Sequence, residues 1–236
     1  MTNFKRFKRN EKIKVMKILR ALNYIYSLRH LESLLEIPYQ SLWKYINMLS
    51  IPSDEVTANI LAKLNELKLI DQTINDFMSM HKNNVHELVS DIGLLSLYAL
   101  KLEDDLRDQD IDIIIPISED SIPFATILAW ELGLKMCIPF FDTKKVEDSK
   151  IRVTWYHSHY NNIELFIIST TCVDDLNVLL ADTVLDDVEK LKAILHLLKS
   201  GNSKLKGVVT VYIGKDCLNF IEKHPLQSVT YYIAVI

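Results

Sequence analysis

Two hydrophobic periods divide the chain. Up to about residue 105, apolar side chains recur every three or four positions, the spacing of one helix face. The first such stretch is 11–26, with Ile13, Met16, Ile18, Leu19, Leu22 and Ile25 on one side and the lysines mostly off it. Ser27 is a good N-cap for a second helix whose Leu28, Leu31, Leu34 and Leu35 point inward. Glu36-Ile37-Pro38 stops that helix, and Pro38 suits the first turn of a third. In the third, Leu42, Tyr45, Ile46 and Leu49 face a core, while Gln40, Ser41, Trp43, Lys44 and Asn47 point away. Ser53-Asp54-Glu55 starts a fourth helix running to about Leu69. A further helical stretch, Ile74 to Asp105, carries Met78, Val85, Leu88, Val89, Ile92, Leu95 and Leu100, and its apolar helices over 74–100 are a candidate for part of a dimer contact. The acidic run KLEDDLRDQD that follows is expected to be a solvated approach to the rest of the chain.

From Ile111 the period changes. IDIIIPI, KMCIPF, the run 178–181, GVVTVYIG and SVTYYIAVI are short apolar runs that predict strands. Between them, 122–133, 187–199 and a short piece near Asp216–Lys223 keep the helical period. Residues 152–170 alternate as a hairpin with Asn161-Asn162 at its turn. Strands apolar on both faces and separated by helices predict a parallel sheet covered on both sides. The predicted class is therefore α/β, with an all-helical N-terminal domain over 1–70 and a mostly parallel-sheet domain over 71–236.

Charge sharpens the division. Residues 1–50 hold ten Lys/Arg against three acids, a net +7, which leaves −11 for the remainder of a chain whose total is −4. Lys5, Arg6, Lys8 and Arg9 precede the first predicted helix as a basic arm. A basic head on an acidic body points to a polyanion at the head, double-stranded DNA above all. A helix, a tight turn and a second helix with outward hydrogen-bonding side chains suit a major groove. The residues expected to meet DNA are Gln40, Ser41, Trp43, Lys44 and Asn47, with the arm Lys5, Arg6, Lys8 and Arg9. Tyr39, Trp43 and Tyr45 are read as helix packing rather than as a base-stacking platform. Apolar runs all fall short of a membrane span, and no secretory signal opens the sequence, so no membrane role is expected. Three widely spaced cysteines, Cys137, Cys172 and Cys217, are expected to be unpaired thiols in a reducing, cytoplasmic setting.

The chemistry-bearing stretch is NVLLADTVLDDVEKLKAILHLLKSG, Asn177 to Gly201. Its frame is an apolar strand, an acid, a loop and an amphipathic helix closed by glycine. Such a frame places phosphate at a helix N-terminus. Here Asp186, Asp187 and Val188 stand where hydroxyls and glycine would cradle it. Each carboxylate about 5 Å from a phosphate charge costs roughly 3 kcal/mol at an effective dielectric of 20. The loop after the first predicted strand, Ser118-Glu119-Asp120-Ser121, adds two more acids. The expected pocket comprises Ser118, Glu119, Asp120, Ser121, Asp182, Thr183, Asp186 and Asp187. A bridging metal would leave the hydroxyls and glycine missing, so no cofactor is expected. His157 and His159 share a strand face without an evident third ligand, so no metal site is assigned.

LESLLEIPYQSLWKYI resembles the helix-turn-helix of prokaryotic regulators, departing from it at Glu32 and at Glu36 in the turn. IDIIIPISEDSIPFATILAWELGL and NVLLADTVLDDVEKLKAILHLLK resemble the diphosphate loop and the phosphoribosyl-diphosphate loop of the type I phosphoribosyltransferase fold. There the first acid, Asp182 here, meets the ribose hydroxyls, and a second acid is replaced by Thr183. The combination resembles purine-repressor type regulators and the archaeal orotate-phosphoribosyltransferase-like regulators. It implies a DNA-binding transcriptional regulator with a catalytically inactive body, a homodimer, and a possible small-molecule effector. The alternatives are an active phosphoribosyltransferase of nucleobase salvage with an appended helix-turn-helix, or an interaction scaffold that does not bind DNA.

Overall fold

The computed structural model describes residues 2–80, 87, 90–141, 150–158, 162–223 and 229–235. The chain forms two compact units, Met1–Asp104 and Asp105–Ile236. The division falls at 104/105, close to the change of hydrophobic period, while the expected domain boundary is 70/71.

The first unit is helical: α1 (Thr2–Ile25), α2 (Leu28–Leu35), α3 (Tyr39–Ile46), α4 (Asp54–Glu66), α5 (Leu69–Met80) and most of α6 (Ile92–Arg107). Val15, Leu19, Leu22, Leu31, Leu35, Leu42, Ile46, Ile60 and Leu64 form its core with Leu97 and Leu100. Ser27 and Ser53 cap α2 and α4 as expected, each accepting a backbone N–H three residues on. The two departures in the turn have physical reasons. Glu32 accepts the Tyr39 N–H at 2.9 Å and so caps α3 from outside. Glu36 takes the left-handed conformation that usually favours glycine (φ 56°), and its carboxylate pairs with Lys63 at 3.1 Å.

Lys5, Arg6, Lys8 and Arg9 do not precede the first helix; α1 begins at Thr2 and contains them. Leu49 is 63% exposed, because the chain leaves α3 at Ile46. The predicted helix 74–105 divides between α5 and α6, and its Val85, Leu88 and Val89 lie outside the described residues. The acidic run is not a linker: Lys101–Arg107 is helical, Leu102 and Leu106 are buried, and Lys14 pairs with Glu103 (3.6 Å) and Asp104 (2.7 Å). Lys12 likewise pairs with Asp54 at 2.9 Å. Over the whole unit, residues 1–104, fourteen Lys/Arg face twelve acids, so the charge that folds together is +2 and not +7.

The second unit is the expected α/β sheet. Its elements are β1 (Ile113–Pro116), α7 (Ile122–Leu132), β2 (Lys135–Met136), β3 (Ile151–His157), β4 (Ile163–Ser169), β5 (Asn177–Leu185), α8 (Val188–Ser200), β6 (Lys204–Ile213), α9 (Lys215–Lys223), β7 (Val229–Tyr231) and β8 (Ala234–Val235). The main sheet runs β2-β1-β5-β6-β7 with β8 also on β6, and every pairing in it is parallel. β5 lies at its centre, with Ile114 opposite Leu179 and Ala181 opposite Val209. Ile113, Ile115, Val178, Leu180 and Val208 pack against Leu191, Ile194, Leu197 and Leu198 of α8. Fully burying one such aliphatic side chain contributes about 1.5–3 kcal/mol, which is why these strands read as unbroken apolar runs. β3 and β4 pair antiparallel as a separate hairpin, with Tyr156 opposite Glu164. Its predicted turn residue Asn161 lies outside the described residues, as does His159. Phe140 joins β4 through its N–H to Ile167 O at 2.7 Å.

Cys137 and Cys172 are not free thiols. They form a disulfide linking the segments that enter and leave the hairpin. Cys217 is free and buried, and burial pushes its thiol up to about 12. No helix among the described residues is long and apolar enough to cross a membrane.

Candidate active site

The chain leaves β1 toward β2 on one side of the sheet and leaves β5 toward β6 on the other, although β1 and β5 are neighbours. This is a topological switch point, and the crevice beyond the strand ends is where such sheets take ligands. Ser118, just past β1, and Asp182, near the end of β5, meet there. Ser118 Oγ donates to Asp182 Oδ1 at 2.6 Å, and the Thr183 N–H donates to the same oxygen at 2.9 Å. Asp182 is 1% exposed. Burial raises its carboxyl above the ordinary range; the Lys190 charge, the Ser118 hydroxyl and the Thr183 N–H pull it back, and Asp186 pushes it further up.

Two clefts open at this place. The larger, ≈ 540 Å³, is lined by Ser118, Glu119, Asp120, Phe140, Phe141 and Phe166 among others. The smaller, ≈ 320 Å³, is lined by Ser158, Asp182, Val184, Leu185, Asp186 and Asp187. Tyr156, Glu164 and Lys190 line both. Strand alternation explains the hairpin's share: Tyr156 and Glu164 are register partners on one face. The Tyr156 hydroxyl donates to Glu164 Oε2 at 2.6 Å; burial first, then that bond and the carboxylate charge, raise the phenol.

Of the eight predicted pocket residues, six line a cleft: Ser118, Glu119, Asp120, Asp182, Asp186 and Asp187. Two do not. Ser121 is fully buried, and its hydroxyl bonds the backbone of Ser118 in both directions, shaping the loop. Thr183 is 2% exposed and alternates to the other face of the sheet. The strand also runs further than its apolar core, to Leu185, so the loop contracts to Asp186-Asp187. Gly214, at the end of β6, lies against that loop: a Cβ there would stand 3.0 Å from Asp186 Cα. Asp187 is the N-cap of α8, accepting the Lys190 N–H at 3.0 Å. No group of three or more potential metal ligands occurs among the described residues. Tyr156, Glu164, Lys190 and the Phe140-Phe141 pair were not anticipated as site residues. The hairpin's alternation was the available signal for the first two.

In α3, Gln40, Trp43, Lys44 and Asn47 are exposed and Ser41 is half-buried. Asn47 is the helix C-cap, and its amide donates to Trp43 O at 2.8 Å. Tyr39 and Trp43 are 42% and 45% exposed, so they are not packed in the core as expected.

A parallel sheet with a cleft at its switch point, an acid near the end of the central strand and a helix starting just beyond it defines a ligand-binding α/β fold. The comparisons with known proteins agree. The sequence profile described as "Phosphoribosyl transferase domain" matches residues 96–233, more than half of the chain, and the chain belongs to that family. Adenine phosphoribosyltransferase of Giardia lamblia, solved with 9-deazaadenine, is similar in structure (TM-score 0.53, 13% identity, 64% of this chain and 83% of that one). The enzymes named so from Rhodothermus marinus (TM-score 0.50, 15% identity, 61% and 81%) and Thermoanaerobacter pseudethanolicus (TM-score 0.50, 13% identity, 62% and 83%) are similar too. At these identities the likeness is one of fold. No curated protein matches the chain in sequence.

These findings overturn the expectation of a transcriptional regulator with a catalytically inactive body, and the expectation that the chain is not an enzyme. They favour the alternative, a phosphoribosyltransferase. Of the four acids set against a phosphate, Glu119, Asp120, Asp186 and Asp187, one is not a free charge in the loop. Asp187 caps the start of α8, accepting the Lys190 N–H at 3.0 Å.

Proposed function

We propose that the chain is a phosphoribosyltransferase acting on a nucleobase. The observation that carries this reading is the Ser118–Asp182 pair at the switch-point cleft of a phosphoribosyl transferase domain. In the reaction, a nitrogen of the base bonds to C1 of phosphoribosyl diphosphate as the C1–oxygen bond breaks. Diphosphate leaves with the electron pair, and the base gives up a proton. Asp182 Oδ1 is held by Ser118 and Thr183, and Oδ2 accepts no hydrogen bond among the described residues. Asp182 lines the smaller cleft, and its second oxygen suits a ribose hydroxyl as donor. The larger cleft, walled by Phe140, Phe141 and Phe166, offers apolar faces to a flat heterocycle. The test follows diphosphate release from phosphoribosyl diphosphate with a panel of purine and pyrimidine bases in buffer containing a divalent cation. Release with at least one base is expected; none with any base sinks the reading.

For the first unit we propose a duplex-DNA contact through α3, as a module appended to the enzyme. Its support is the exposure of Gln40, Trp43 and Lys44 on one side of a helix whose Leu42 and Ile46 are buried. Titration of duplex DNA with wild type and a Gln40→Ala/Lys44→Ala variant tests it, and equal binding by both refutes it. A homodimer is the assembly we propose, read by light scattering.

A further inference from the structure

We propose that Lys190 holds the 5-phosphate of the phosphoribosyl group, taking the place of the hydroxyl-and-glycine cradle that this loop lacks. The proposal rests on the phosphoribosyltransferase reading and deepens it. Lys190 stands in the first turn of α8, three residues beyond its N-cap. Its side chain is half-buried and lines both clefts, so it marks the place where they adjoin. Among the described residues it is the one cation lining either cleft, against Glu119, Asp120, Glu164, Asp182, Asp186 and Asp187. Its ammonium makes no hydrogen bond and no ion pair with any described residue. Its field nevertheless reaches the site, since it is the largest influence holding the Asp182 carboxyl down.

The chemistry is that of a point charge. The α8 terminus is less open to an anion than a bare helix end, because Asp187 already accepts the Lys190 N–H. Val188 supplies neither hydroxyl nor the close backbone approach of glycine. A phosphate arriving beside Asp182 therefore meets few neutral donors, and an ammonium with three N–H groups and a flexible stem is the available partner. Asp186, exposed at the loop, opposes the phosphate and sets how much the lysine must supply.

The experiment is calorimetry with ribose 5-phosphate and with ribose, on wild type, Lys190→Ala, Lys190→Arg and Asp186→Asn, each checked for folding by circular dichroism and melting. Wild type should bind ribose 5-phosphate. Lys190→Ala should weaken that binding by about 10–100-fold, the range of a charge-assisted contact. Lys190→Arg should recover most of it, Asp186→Asn should tighten it, and ribose should not respond to any variant. In turnover, Lys190→Ala should raise KM for phosphoribosyl diphosphate far more than it lowers kcat. Binding of ribose 5-phosphate within about threefold of wild type by folded Lys190→Ala overturns the proposal, as does a wild type that fails to bind it at millimolar concentration. Turnover that is unaffected by Lys190→Ala leaves the enzyme reading standing and the lysine's role refuted. Lysine-dependent phosphate binding without transfer to any base does the reverse.

Discussion

Ser118→Ala removes the hydroxyl that donates to Asp182 Oδ1 at 2.6 Å inside a carboxyl group only 1% exposed. A hydrogen bond to an ionised group contributes about 1.5–3 kcal/mol, and one between neutral groups about 0.5–1.5 kcal/mol. Once Asp182 is ionised, Ser118→Ala should therefore cost about 1.5–3 kcal/mol. In an Asp182→Asn background, where the same hydroxyl meets an amide oxygen, it should cost about 0.5–1.5 kcal/mol. The double-mutant cycle should thus show a coupling of roughly 1 kcal/mol. The pH dependence has a definite sign. Burial raises the Asp182 carboxyl in the folded state, so the stability it contributes is complete below its unfolded value and is lost as pH rises through the folded one. Asp182→Asn removes that loss and should overtake wild type on the alkaline side. Ser118→Ala removes a bond that pulls the carboxyl down, so its loss should extend to higher pH. The two units need not unfold together, and amide hydrogen exchange along β5 reads the sheet unit by itself. A coupling within about 0.3 kcal/mol of zero, or an Asp182→Asn protein less stable than wild type at every pH, would refute the reasoning.

Reducing the Cys137–Cys172 bridge frees a loop of sequence separation 35 and should cost the sheet unit about 3–4 kcal/mol on the chain-entropy account. Melting with and without reductant measures it, and Cys137→Ser should be insensitive to reductant. In the first unit, Gln40→Ala/Lys44→Ala should weaken duplex binding and flatten its salt dependence by about one unit of slope for the lysine. An unchanged slope would remove Lys44 from the contact.

The apolar periods made the fold legible. Ile113–Pro116, Val178–Ala181 and Val208–Val211 are buried on both faces, and such runs have one economical explanation, a covered parallel sheet. Ser27 and Ser53 marked helix starts because their side chains bond the first free N–H groups, a local event that sequence expresses directly. What stayed hidden depends on distant partners. Lys12 and Lys14 looked like part of a basic face until Asp54, Glu103 and Asp104 met them. Cys137 and Cys172 looked solitary because the hairpin that separates them in sequence brings their segments together. The site failed to read for the same reason. Five of its carboxylates, Glu119, Asp120, Asp182, Asp186 and Asp187, were visible as charges, but whether Asp182, Asp186 and Asp187 are buried, capping or facing solvent is set by the strand length of β5 and the start of α8. Lys190, Tyr156 and Glu164 enter only once the hairpin and helix adjoin the strand ends.

The central claim is that this body moves a phosphoribosyl group. The direct measurement supplies phosphoribosyl diphosphate labelled with carbon-13 in the ribose, together with a mixture of bases, and seeks labelled nucleoside monophosphate by mass spectrometry. Wild type should yield at least one labelled nucleotide, and the Asp182→Asn protein should form it at least about tenfold more slowly, as expected when one charge-assisted contact to the ribose is lost. A folded wild type that binds the labelled compound yet forms no nucleotide, or an Asp182→Asn protein as fast as wild type, would contradict the account.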